Sequence, residues 1–184
     1  MSVIWILVIV LAALVLIVIS FFNRFAILQN RTENSAAQID VQLKKRADLV
    51  PNLVEAVKGY MNHEKSVINS VTEARKLLVS AKDLSSKVRA GDRLASALKS
   101  VFAIAENYPN LKANENFIQL QQELSSIEDK IAYARQFYND SILEYDNLRS
   151  TFPGSIFASI FNRKELAYLK IPEAEKLPVK VKFE

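Results

Sequence analysis

The chain has 184 residues, with 24 basic and 20 acidic side chains for a net charge of +4, three glycines, five prolines and no cysteine. The absence of cysteine excludes disulfides, thiolate metal sites, cysteine nucleophiles and a lipidated N-terminal cysteine. The mild charge falls short of the dense basic face of a nucleic-acid binder, so no nucleic-acid partner is expected.

The first predicted element is residues 3–22, VIWILVIVLAALVLIVISFF, about twenty residues without a charge. As a helix they rise far enough to cross a hydrocarbon core of roughly 30 Å. Val3, Trp5, Leu11, Leu16, Phe21 and Phe22 stand for the membrane anchor, whose partner is the lipid bilayer. A cleaved signal peptide is disfavoured, because Met1 and Ser2 bring no positive charge and Ala12 and Ala13 are followed by more apolar residues. Arg24 and Arg31 follow the span, with Lys44, Lys45 and Arg46 beyond, which places the large C-terminal part in the cytoplasm.

From Asn23 onward, Ala36, Ile39, Leu43, Arg46, Val50, Leu53, Val57, Tyr60, Glu64, Val67, Val71, Ala74 and Leu78 alternate spacings of three and four. That heptad row predicts one face of a long helix, kinked but continuous at Pro51. Residues 80–92, SAKDLSSKVRAGD, read as a connection, with Gly91 and Asp92 as turn and N-cap. Leu94, Leu98, Val101, Ala105 and Tyr108 form a second row, ended by Tyr108-Pro109-Asn110. Asn114 or Asn116 can cap a third helix, whose row of Phe117, Leu120, Leu124, Ile127, Ile131, Ala134, Tyr138, Ser141, Tyr145, Leu148 and Phe152 is stopped by Pro153 and Gly154. Short connections force neighbouring helices to run antiparallel, and a bundle buries all three rows, although a coiled coil between copies would use them equally well.

Past Gly154, Ile156, Phe157, Ile160 and Phe161 recur on one side of a short helix, either a cap over the bundle end or a membrane or partner contact. In the tail, Leu177-Pro178-Val179-Lys180-Val181-Lys182-Phe183, apolar residues alternate with lysines, so Val179, Val181 and Phe183 suit a short strand added to another chain, or a disordered tail. The expected fold is all-α: a transmembrane anchor over residues 1–22, an antiparallel helical bundle over 23–153, and an amphipathic helix with an extended tail over 154–184.

No constellation carries chemistry. His63-Glu64 begins the zinc-protease pattern HExxH, but its second histidine falls at Val67 and no other histidine exists. A serine triad lacks its base for the same reason. Neither metal nor cofactor is expected, and the chain reads as a non-enzyme. Arg46 and Glu64 interrupt the apolar row, and buried charges are costly unless paired, so they are either solvated or paired register-setting positions or members of an ion pair between helices, with residues such as Asp129 or Arg135 as candidate partners. Arg46, Glu64, Ile156, Phe157, Ile160, Phe161, Val179, Val181 and Phe183 make up the candidate interaction surface.

Two long stretches resemble the signature regions of the LemA family: residues 38–64, QIDVQLKKRADLVPNLVEAVKGYMNHE, and residues 108–153, YPNLKANENFIQLQQELSSIEDKIAYARQFYNDSILEYDNLRSTFP. The resemblance implies a bacterial single-pass protein of the cytoplasmic membrane, with an antiparallel helical cytoplasmic domain and no established enzymatic activity. A magnetosome protein belongs to the same family, which implies a link to membrane shaping. Members are often encoded near a membrane metalloprotease or a TPM-domain protein. Two departures stand out: Ala36 and Ala37 where many members carry tryptophan, and Asn162 where glycine is common. The expected function is a self-associating membrane scaffold, a homo-oligomer. The alternative is an adaptor of a membrane protease or envelope-stress complex.

Overall fold

The computed structural model describes residues 2–61 and 64–169. His63 and the tail with Val179, Val181 and Phe183 lie outside the described residues. Among the described residues six helices follow one another: α1 (Ser2–Lys58), α2 (Lys65–Ser80), α3 (Leu84–Ala105), α4 (Pro109–Lys112), α5 (Glu115–Ser150) and α6 (Gly154–Ile160). The described residues contain no strand, and the fold is all-α. They fall into two compact units, one of residues 2–35 and 136–168, the other of 36–61, 64–135 and Leu169. Helices α1 and α5 each contribute to both.

The second unit is an antiparallel four-helix arrangement made by the end of α1, α2, α3 and the start of α5. Its directions follow from its contacts. Arg75 on α2 reaches Ala47, Lys87 on α3 reaches Asp40, and Arg135 and Phe117 on α5 meet Asp92 and Phe102 of α3. The core is the three predicted rows. Ile39, Leu43, Val50, Leu53 and Val57 of α1 are buried with Val71, Ala74 and Leu78 of α2, Leu94, Leu98, Val101 and Ala105 of α3, and Phe117, Leu124, Ile127, Ile131 and Ala134 of α5. Each large aliphatic side chain so buried contributes about 1.5–3 kcal/mol.

The long rod ends earlier than its heptad row. The phase carries on to Leu78, yet α1 stops at Lys58. Both Tyr60 and Met61 donate their N–H to the carbonyl of Val57, and α2 then folds back along α1. A heptad row survives such a reversal because each arm needs only its own apolar face. Within α1 the helix does continue through Pro51. Proline cannot donate to the carbonyl four residues earlier, and here Arg75 Nε donates to that Ala47 oxygen at 2.8 Å.

Residues 80–92 are mostly helix rather than connection, since only Ala81, Lys82 and Asp83 lie between α2 and α3. The cap is Asp83, whose carboxylate accepts the N–H of Ser86, and not Asp92. Small residues serve close packing here. A Cβ on Gly91 would stand 2.5 Å from Leu43 Cδ2, so α3 lies against α1 at a separation that glycine permits. On α5 the cap is Asn114, whose side-chain oxygen accepts from Phe117 N–H at 3.1 Å.

The first unit pairs the start of α1 with the end of α5 and adds α6. Phe25, Leu28, Tyr145, Leu148 and Ala158 form its core, with Phe21, Phe157, Phe161 and Leu166 packed on it. Phe152, predicted as the last member of the α5 row, lies past the helix end and is exposed. The chain leaves α6 through a Schellman closure, with Arg163 N–H on Ala158 O and Asn162 N–H on Ser159 O. That closure needs a positive φ, and Asn162 has φ 51°. Beyond it the chain runs back along α5, held by Tyr145 Oη donating to Lys164 O and Tyr138 Oη donating to Ala167 O.

Candidate functional site

Two places gather polar or exposed apolar groups. In the second unit Arg46 sits on the buried row at 1% exposure. Its guanidinium donates to Glu128 Oε2 and, at 3.3 Å, to the carbonyl of Gly91. Its pKa is lowered to about 10, chiefly by burial and next by the neighbouring Arg135, with Asp92 opposing both. Arg46 therefore stays charged at neutral pH. Arg135 is itself paired with Asp92, and Lys87 with Asp40 at 2.6 Å. Of the two alternatives, the ion pair between helices is present, but with Glu128 in place of its neighbour Asp129. Arg135 binds Asp92, and Glu64 accepts from Tyr108 Oη at 3.4 Å. Heptad counting finds Arg46 but not the partner, because Glu128 lies off the apolar row and reaches in from a half-exposed position.

The second place is in the first unit. Phe157 stacks on Phe21 with ring centroids 4.4 Å apart, Phe161 meets Phe22 edge-on at 5.4 Å, and Phe25 meets Tyr145 at 5.8 Å. Arg163 places its guanidinium over the rings of Phe22 and Phe25 and donates to Gln29 at 2.8 Å. Of the four residues predicted to share one side of α6, Phe157 and Phe161 pack inward while Ile156 and Ile160 face outward. Spacing alone groups them. The inward face is decided by Gly154 and Ala158, whose small size lets the helix approach. A groove of about 580 Å³ beside them is lined by Arg24, Ile27, Leu28, Arg31 and Phe152.

The anchor residues Val3, Trp5, Leu11, Leu16 and Phe22 are all exposed along α1, with Phe21 half-buried. The most apolar 18-residue window of this helix has a mean hydropathy of 3.4, and none of it is buried in the fold. Among the described residues, no group of three or more histidines, cysteines, aspartates or glutamates is placed to hold a metal ion.

The family model described as the LemA family matches residues 35–183. The chain belongs to the LemA family. It is similar to Protein LemA of Metamycoplasma hominis, with 26% identity over 158 residues, 82% of this chain and 69% of that protein. Magnetosome protein MamQ of Magnetospirillum gryphiswaldense is 22% identical over 195 residues, covering 92% of this chain and 72% of MamQ. Magnetosome protein MamQ 2 of Paramagnetospirillum magneticum is 21% identical over 184 residues, covering 86% and 68%. The LemA match begins at Ser35, past the apolar stretch. That stretch and these relatives together point to a membrane-associated protein with an N-terminal anchor.

Proposed function

We propose that this LemA-family chain is a single-pass protein of a bacterial cytoplasmic membrane, anchored by α1, and that its helical part is a non-enzymatic, self-associating scaffold facing the cytoplasm. The observation that carries the reading is an 18-residue apolar window left wholly bare by the fold. In water such a surface far exceeds what a soluble monomer exposes, and in lipid it has its solvent. Arg24 and Arg31 follow it, which supports the cytoplasmic side for the rest. A scaffold role also suits the charged groups between the helices, because Arg46, Glu128, Arg135 and Asp92 are consumed by one another. The heptad rows are largely buried within the two units, so contacts between copies fall on exposed apolar side chains such as Val41 and Tyr133.

The test is the mass of full-length protein extracted into nanodiscs with its native lipid. Discrete particles holding several chains are expected. One chain per particle contradicts self-association and transfers the proposal to recruitment of another protein, such as a membrane protease or a TPM-domain protein, sought by mild crosslinking.

A further inference from the structure

Phe21 and Phe22 are the last two residues of the apolar stretch, and α6 is fastened to both. Phe157 stacks on Phe21 at 15° between ring planes, and Phe161 packs edge-on against Phe22. The depth of α6 is therefore tied to the end of the α1 apolar surface. Helical spacing turns Gly154 and Ala158 inward and leaves Ile156 at 50% and Ile160 at 67% exposure. Phe152, in the turn before α6, is 82% exposed and shares its groove with Arg24, the first charged residue of the chain.

Single exposed apolar side chains are ordinary on soluble surfaces. These three differ in place: they stand where α1 passes from a bare apolar surface to its first charge. Whatever covers Phe22 extends over its neighbours. We propose that α6 and Phe152 form an interfacial foot, which lies in the membrane surface at the boundary between acyl chains and headgroups. The inference rests on reading α1 as the membrane span. Arg24, exposed and without an ion-pair partner among the described residues, stands at the level of the lipid phosphates. Seven residues are too few to hold a membrane alone, but a helix tethered by α1 meets the surface at high effective concentration. The foot would fix the rotation of α1 about its axis.

Because the chain has no cysteine, single-cysteine variants can be spin-labelled cleanly. Full-length Leu11→Cys, Phe152→Cys, Ile160→Cys and Val79→Cys are reconstituted in phosphatidylcholine bilayers containing phosphatidylglycerol, and relaxation by oxygen is compared with relaxation by a water-soluble nickel chelate. The oxygen preference at Phe152 and Ile160 should approach that at Leu11 and exceed that at Val79 several-fold. Lipid exposure at Leu11 with nickel access at Ile160 overturns the foot and leaves the span standing. Nickel access at both overturns the two together. Low access to both reagents at Ile160, with spin–spin broadening, shows a second copy in place of lipid and also overturns the foot.

Discussion

Pro51 removes the donor that Ala47 would otherwise receive, and Arg75 from the facing helix supplies it. A buried carbonyl left without a partner costs roughly 1–3 kcal/mol. Arg75→Leu should therefore lower the unfolding free energy of the full chain in detergent by about that amount. Its cost should drop by at least half in a Pro51→Ala background, where the helix satisfies Ala47 itself. Equal costs in both backgrounds, measured by chemical denaturation, mean that the two residues are not coupled. Arg46 and Glu128 offer a second asymmetry. Glu128→Gln leaves a buried cation facing a neutral amide, while Arg46→Met removes the charge and keeps the volume. The first should cost about 1–3 kcal/mol, below the fully buried range because Glu128 is half-exposed, and the second should cost less. The pH dependence has a definite sign. The Arg46 pKa is lowered to about 10 in the fold, below the ordinary value it regains on unfolding, so above about pH 10 the unfolded chain binds more protons and stability rises with pH. Arg46→Met should lose that alkaline gain.

Among the elements, the apolar rows of α1, α3 and α5 could be read directly, because burial of one helical face leaves a period that survives in sequence. Ile39, Leu43, Leu94, Leu98, Ile127 and Ile131 are all buried where the spacing puts them. Chain reversals were less legible. Tyr60 and Met61 close on Val57 without a proline or a change of heptad phase, so the row itself does not announce the end of α1, and the signal that does, Gly59 directly after Lys58, lies off the row. The stretch from Ser80 to Asp92 misled for the opposite reason: its small polar residues suit a loop, yet the proximity of Gly91 to Leu43 gives them a packing role that only the facing helix reveals. Asn162 was visible as a departure from a common glycine, and its φ of 51° explains why glycine or asparagine is wanted there. Gly154 is held by closer quarters, since a Cβ would lie 2.0 Å from the backbone oxygen of Leu148. Gly154→Ala should displace α6 at a cost of about 1–3 kcal/mol. Faster amide hydrogen exchange across residues 154–160, with α3 unchanged, is the expected readout. Unaltered exchange in α6 contradicts the close approach.

For the whole molecule, the division of labour follows from where the apolar surface goes. The second unit buries its rows among its own helices, whereas the most apolar 18-residue window of α1 is left bare among the described residues. The candidate site divided in the same way. Arg46 was legible because a charge interrupted a row, and Phe157 and Phe161 because aromatics recurred at helical spacing. The separation of Ile156 and Ile160 from them was not legible, since it depends on Phe21 and Phe22, more than a hundred residues earlier. Both the scaffold and the foot depend on α1 holding the chain in a bilayer. The most direct measurement is the intact mass of the protein retained in membranes after an alkaline carbonate wash. Retention of the chain with residues 3–22 still attached is predicted. Release into the supernatant, or a retained species cleaved after that stretch, would contradict it.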